Sequence, residues 1–291
     1  MHKKFFVLAV LVLSLPLVTH GTSATNNQSS VLNDQVSCEN SVVNPFRSNV
    51  TVSCTDAYLI AMTSGLPDHN YGPTQFAVRD QHFNLRFKLN PQPAQKTTAT
   101  SLGLISLAVN GVAIFNGSTA RAWNNNRNWE ENAFKAEVNL DSCNGHPEPM
   151  MGTYHYHAFS SCVLKEVAGK HSQILGMSFD GFPIYGPSGY VKADGTGEVR
   201  LMKSSYRLKQ GNRPSPPSGP GGVYDGTYVQ DYEYVAGLGD LDECNGHFGV
   251  TPEYPKGIYH YHATIEANGT PAFPYVLGCY RGTPDNLRPG R

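Results

Sequence analysis

The sequence predicts a mostly β protein, an antiparallel β sandwich or barrel-like single domain built from an internal duplication, with little helix. Three observations carry that prediction. Gly152-Thr153-Tyr154-His155-Tyr156-His157-Ala158 returns as Gly257-Ile258-Tyr259-His260-Tyr261-His262-Ala263. A related prelude precedes each copy, Asp141-Ser142-Cys143-Asn144-Gly145-His146 and Asp242-Glu243-Cys244-Asn245-Gly246-His247. Glycine (29) and proline (20) are abundant while charged residues make up 15%, the profile of short strands joined by many turns.

In chain order, Lys3-Lys4, an apolar run over 5–18, and small residues at Thr22 and Ala24 form the pattern of a secretory signal peptide over 1–24. The run is too short to span a bilayer, and no later apolar stretch reaches that length, so a secreted or periplasmic protein with no transmembrane segment is expected. A net charge of −1 offers no basic excess for a nucleic-acid partner. Residues 25–37 are rich in Asn, Gln, Ser and Thr and read as a flexible start to an N-terminal segment over 25–99.

The first strands belong to that segment. Residues 57–62 read as one, and Phe83, Leu85, Phe87 and Leu89 alternate with polar residues, the period of a half-buried strand. Residues 104–115 then hold two apolar runs joined by Asn110-Gly111, a strong hairpin signal because both residues tolerate positive φ. A second hairpin over 175–185 turns at Asp180-Gly181. The order hairpin, histidine unit, hairpin, histidine unit defines a duplicated region over 100–285, with halves of about 100–172 and 173–285. Asn110 and Asp180 are 70 residues apart and Cys143 and Cys244 are 101 apart, so the second half carries an insertion. It includes the Pro- and Gly-rich stretch 214–222, a surface loop by composition. The best helix candidate is 128–135, with Asn128 as a cap. Asn-X-Ser/Thr sequons begin at Asn27, Asn49, Asn116 and Asn268.

Six cysteines in an exported chain predict three disulfides, and position suggests Cys38 with Cys54, Cys143 with Cys162, and Cys244 with Cys279. Metal chemistry would then fall to the histidines. On a strand, His155 and His157 share one face with Cα atoms about 7 Å apart, close enough for both imidazoles to reach one ion. His260 and His262 repeat this, with the paired tyrosines on the opposite, buried face.

Two arrangements are open. Four histidines from both halves could build one shared site, or each pair could close its own site with the upstream histidine, His146 or His247. The matching positions of His146 and His247 favour separate sites. Three imidazoles with an open position is the composition of a catalytic zinc or a copper site, so copper or zinc is the expected metal. Met150 and Met151 would favour copper(I) if they faced the first site; ordinary loop packing is the plainer reading. Asp141 and Asp242 are candidates to fix the imidazole tautomers.

The competing readings are a structural network of hydrogen-bonded imidazoles, metal-free acid–base chemistry, and a metal-free surface module that binds glycans or cell-envelope material through exposed tyrosines. Paired His-X-Ser/Thr phosphoesterase chemistry is disfavoured, since His262-Ala263-Thr264 fits and His157-Ala158-Phe159 lacks the hydroxyl. A histidine-brace copper oxygenase needs a mature N-terminal histidine, and the signal sequence does not supply that cleavage. No nucleophile elbow or phosphate-binding glycine loop is present. These residues do not decide whether the protein is an enzyme.

The two Cys-Asn-Gly-His preludes with their Tyr-His-Tyr-His strands, together with Phe179-Asp180-Gly181-Phe182-Pro183-Ile184-Tyr185-Gly186-Pro187, Glu253-Tyr254-Pro255 and Gly278-Cys279-Tyr280-Arg281-Gly282, resemble the YHYH-domain family of exported proteins. The resemblance covers roughly 100–285 and implies one domain shared by the two halves. It assigns no metal, substrate or activity.

Overall fold

The computed structural model describes Cys38 and residues 43–136 and 139–286. The signal peptide and the polar stretch 25–37 lie outside those residues. Strands β1 (Thr51–Cys54), β2 (Tyr58–Thr63) and β3 (Phe83–Lys88) form an antiparallel three-stranded sheet. The alternation read in β3 is realised: Phe83, Leu85 and Phe87 are buried while Asn84 and Arg86 are exposed. After β4 (Pro93–Ala99), the first hairpin is β5 (Leu104–Ala108) and β6 (Ala113–Phe115). Next come β7 (Ser118–Ala122), β8 (Glu130–Asn132), β9 (Gly145–Pro147) and β10 (Tyr154–Tyr156). The second hairpin is β11 (Ile174–Ser178) and β12 (Pro183–Tyr185), followed by β13 (Ser188–Tyr190), β14 (Val199–Leu201), β15 (Tyr206–Leu208) and β16 (Tyr232–Tyr234). The chain closes with β17 (Gly246–Gly249), β18 (Ile258–His262) and β19 (Cys279–Gly282).

Eight of these strands make one open sheet in the order β17-β18-β12-β11-β5-β6-β10-β9. The duplication is written in that order. Each half contributes hairpin, histidine strand and prelude strand, and the halves join where β5 pairs antiparallel with β11, so the sequence of elements mirrors outward from the centre. The close approach at that seam requires glycine, because a Cβ on Gly176 would collide with the Leu107 carbonyl. Two pairings, β6 with β10 and β12 with β18, are parallel. The sheet is not a closed barrel; smaller antiparallel pairs β4–β19, β7–β8, β13–β14 and β15–β16 surround it.

The predicted turns carry more than a change of direction. Gly111 (φ 80°) and Gly181 (φ 92°) adopt the left-handed conformation, and a side chain at either would strike the three-stranded sheet, at Thr63 and Lys88 respectively. The small sheet therefore caps both hairpin turns. Their partners point at the histidine strands: Asn110 Nδ2 donates to the Tyr156 hydroxyl at 3.0 Å, and Tyr261 donates to Asp180 Oδ2 at 2.6 Å. The core beneath is continuous, running from Leu59 and Phe87 through Ile105, Leu107, Ile114 and Ile184 to Tyr261 and Tyr280.

All three disulfides form as position suggested, Cys38–Cys54, Cys143–Cys162 and Cys244–Cys279. The helix expected at 128–135 does not form. That stretch holds β8, which pairs with β7, and the buried Asn132 spends its side chain on the Gly226 carbonyl and the Phe134 amide. Side-chain and cross-strand bonds satisfy its backbone better than a short isolated helix, whose nucleation is costly. The only helical turns among the described residues are two 3₁₀ turns, Trp123–Asn125 and Val229–Asp231. The pair β13–β14 repeats β7–β8 at the offset of about 70, and the insertion of the second half supplies β15, β16 and the exposed loop that begins at Pro214.

Candidate metal centres

The prelude motif has a local logic that repeats in both halves. In the first, Asp141 accepts hydrogen bonds from the amides of Cys143 (2.8 Å) and Gly145 (3.1 Å), bending the chain so that Asn144 takes a positive φ of 58°. Asp242 accepts from Cys244 (2.9 Å) and Gly246 (3.1 Å) around Asn245 at φ 68°. Each asparagine then ties the turn to its surroundings. Asn144 donates through Nδ2 to the Phe159 carbonyl, and Asn245 donates to the His262 carbonyl, while their own carbonyls accept from the amides of His157 and His262. The chain leaves this turn as β9 or β17, in antiparallel register with the histidine strand. His146 sits opposite His155, and His247 opposite His260.

The alternation on β10 and β18 is as expected, with tyrosines on one face and histidines on the other. Tyr154 donates to Asp141 Oδ2 at 2.5 Å, and Tyr259 reaches both oxygens of Asp242 at 2.9 and 3.0 Å. Gly145 and Gly246 must be glycine because the Tyr154 and Tyr259 hydroxyl ends occupy the space of a Cβ. This corrects the role expected for the two aspartates: they hold tyrosines and turn amides and touch no imidazole. The tautomers are fixed by backbone carbonyls instead. Nδ1–H of His155 donates to Thr153 O (2.9 Å), His157 to Asn116 O (2.8 Å), His260 to Ile258 O (3.0 Å) and His262 to Gly186 O (2.7 Å). Asn116 and Gly186 are themselves 70 residues apart, so the duplicated hairpin ends orient the duplicated second histidines. The sequon residue Asn116 is buried.

A carbonyl can only accept, so each of these rings carries its proton on Nδ1 and presents a lone pair at Nε2. In the first half, three Nε2 atoms converge. His155 Nε2 lies 3.1 Å from His157 Nε2, and His146 Nε2 lies 3.3 Å from His157 Nε2. Phe115 stacks on the His155 ring at 3.7 Å between centroids. In the second half, the His247 ring stands 4.5 Å from His260 and 5.2 Å from His262, and Nε2 of all three is buried with no hydrogen-bond partner.

The imidazole faces are as buried as the tyrosine faces; His155, His157, His260 and His262 are each at most 3% exposed. Burial therefore holds them neutral. Desolvation, reinforced by the neighbouring rings, lowers His157 to about 4 and His260 to about 3, and pushes His155 and His262 well below the usual imidazole range. Desolvation likewise lowers His247 to about 4 and also lowers His146. Neutral imidazoles are the form that ligates a metal.

The shared four-histidine arrangement is not the one formed. Strands β10 and β18 are five inter-strand steps apart in the sheet, about 24 Å along it at about 4.8 Å per step. No group of converging donors among the described residues joins His155 or His157 to His260 or His262. Met150 and Met151 are exposed on the turn after β9. One further residue joins the second cluster without having been legible in the repeat. His171, ahead of β11, lies 5.9 Å from His260 and 5.6 Å from His262 between ring centroids, its Nδ1–H bonded to Ser172 O at 2.8 Å. At the offset of 70 the first half has Ser101, so the repeat carried no signal for it.

These observations define a class: a disulfide-bonded, duplicated β protein with one buried imidazole cluster at each end of its central sheet. The chain belongs to the YHYH family, whose model, described as YHYH protein, matches residues 84–282, more than half of its length. No curated protein and no solved structure matches it significantly.

Proposed function

We propose that this is an exported metal-binding protein that holds a transition metal, copper or zinc, through its duplicated His-X-His strands. One observation carries the reading. His155 and His157 both commit their Nδ1 protons to backbone carbonyls and still bring their Nε2 lone pairs within 3.1 Å of each other in a buried place. Two facing lone pairs repel unless a cation lies between them. Ligands about 2.0–2.1 Å from a tetrahedral ion are about 3.3–3.4 Å apart, which matches the spacing of His146, His155 and His157. The carbonyl partners are the supporting shell that metal-binding imidazoles use. The primary ligands are His155, His157, His260 and His262, with His146 and His247 as third ligands. When bound, such an ion supplies a Lewis-acid centre or, for copper, a redox centre.

Export is supported by the three disulfides, which persist in oxidising compartments. No helix among the described residues is long and apolar enough to cross a membrane. The alternative, a metal-free module recognising glycans or cell-envelope material, draws no comparable support, because of the tyrosines only Tyr71 and Tyr234 are exposed.

Elemental analysis of the protein purified from its native compartment tests the reading, beside a variant with His155, His157, His260 and His262 all changed to Ala. Stoichiometric copper or zinc in the native protein, absent from the variant, and a metal-dependent rise in melting temperature are expected. Native protein with no bound metal and an unmoved melting temperature would sink the proposal.

A further inference from the structure

The two clusters are not equivalent. We propose that the second is a closed four-imidazole metal site with His171 as its fourth ligand, while the first is a three-imidazole site with one position open. This rests on the metal-binding reading above and adds to it a division of labour between the halves.

In the second cluster His171, His260 and His262 offer converging donors, and His247 stands against the latter two rings. Imidazoles bound through Nε2 at about 2.0–2.1 Å to one tetrahedral ion have ring centroids about 5.2 Å apart. Five of the six ring pairs bracket that value: 4.5 Å (His247–His260), 5.0 Å (His260–His262), 5.2 Å (His247–His262), 5.6 Å (His171–His262) and 5.9 Å (His171–His260); His171 and His247 approach the pair His260–His262 without forming a close ring pair with each other. Nε2 of His171, His247, His260 and His262 is in every case buried with no hydrogen-bond partner. Four buried ring nitrogens without a partner, three of them acceptors by their Nδ1–carbonyl bonds, would be costly without a shared partner. His171 also shows the preparation seen in the primary ligands, its proton held on Nδ1 by a backbone carbonyl.

The backbone is shaped to leave room there. Gly189 on β13 passes so close that a Cβ would lie 2.9 Å from His262 Nε2 and Cε1. Its φ lies outside the left-handed region, so space and not conformation selects glycine. At the offset of 70 the first half has Thr119. In the first cluster the converging donors among the described residues are His146, His155 and His157 only; His146, like His247 in the second cluster, is half-buried. Three imidazoles with a solvent-facing side is the pattern that admits water or a small exogenous ligand, whereas four imidazoles close the coordination of a zinc-like ion.

Cobalt(II), a coloured stand-in for zinc(II), reads both sites in the intact, disulfide-bonded protein. The wild type is expected to take two equivalents, and sodium azide should change the visible spectrum of one of them. In His171→Gln, which conserves side-chain volume, azide should reach both, and one equivalent should be lost to a chelator by more than the roughly 10–100-fold that removing a supporting group costs. Gly189→Ala should weaken the same equivalent and spare the other. His155→Ala with His157→Ala leaves the second site to be read alone, and it should be azide-silent. Failure to bind cobalt in the wild type would overturn the metal-binding reading itself. Two bound equivalents that both respond to azide, or that are both indifferent to His171→Gln, would overturn the division of labour and leave metal binding standing.

Discussion

At the scale of single residues, the alternation in the histidine strands separates two tasks. The tyrosines anchor the fold, Tyr154 on Asp141 and Tyr259 on Asp242, while the histidines face a second interior that the fold keeps neutral. Tyr154→Phe removes a hydroxyl that donates to a carboxylate; it should cost about 1–3 kcal/mol in urea denaturation and leave metal stoichiometry unchanged. Loss of metal from that variant would contradict the separation. The neutral imidazoles also set an acid limit. Their folded-state values lie below the ordinary 6.5, at about 4 for His157 and His247 and about 3 for His260. Between those values and 6.5 the unfolded chain binds more protons than the folded one, so stability rises with pH there and is lost as pH falls. Metal-free protein should therefore lose stability steadily from about pH 6.5 towards pH 4, measured as the urea midpoint across that range. A flat profile would mean that these rings are not held neutral by burial.

At the scale of elements, the hairpins are more than sheet strands. Their turn residues reach the hydroxyls of Tyr156 and Tyr261, and their outgoing ends supply the carbonyls of Asn116 and Gly186 that orient His157 and His262. Gly181→Ala places a side chain at φ 92° and 2.9 Å from Lys88. It should destabilise the protein by about 2–4 kcal/mol, with the damage read in the second histidine cluster before the first. The Cys244–Cys279 disulfide spans 35 residues and ties the second prelude to β19. Replacing both cysteines by serine should cost about 3–4 kcal/mol by the chain-entropy argument, checked by denaturation under non-reducing conditions. The strand at 83–88 and the two hairpins were legible in advance because the period-two pattern and the Asn-Gly and Asp-Gly turns are local signals. Residues 128–135 misled because a cap and early acids are only a local preference, which pairing with β7 overrode.

At the scale of the whole molecule, the duplication places the two clusters at opposite ends of one sheet, so they should behave as separate sites. His155→Ala combined with His157→Ala should remove one metal equivalent and leave the other with unchanged affinity, measured by titration calorimetry. Loss of both equivalents from a variant that remains folded would show coupling that the sheet order gives no reason to expect.

The sequence alone determined the β class, the duplicated order and the six repeated histidines, because repetition and alternation are properties of the chain as written, while cysteine position only suggested the three disulfide pairings that the structure forms. Only the tertiary structure decided that each upstream histidine lies beside its own pair and not the other, that backbone carbonyls rather than Asp141 and Asp242 fix the tautomers, and that His171 stands in the second cluster. Those facts depend on which strands lie side by side. The parallel pairings of β6 with β10 and β12 with β18 bring together residues about 41 and 76 positions apart, and no local pattern encodes that distance.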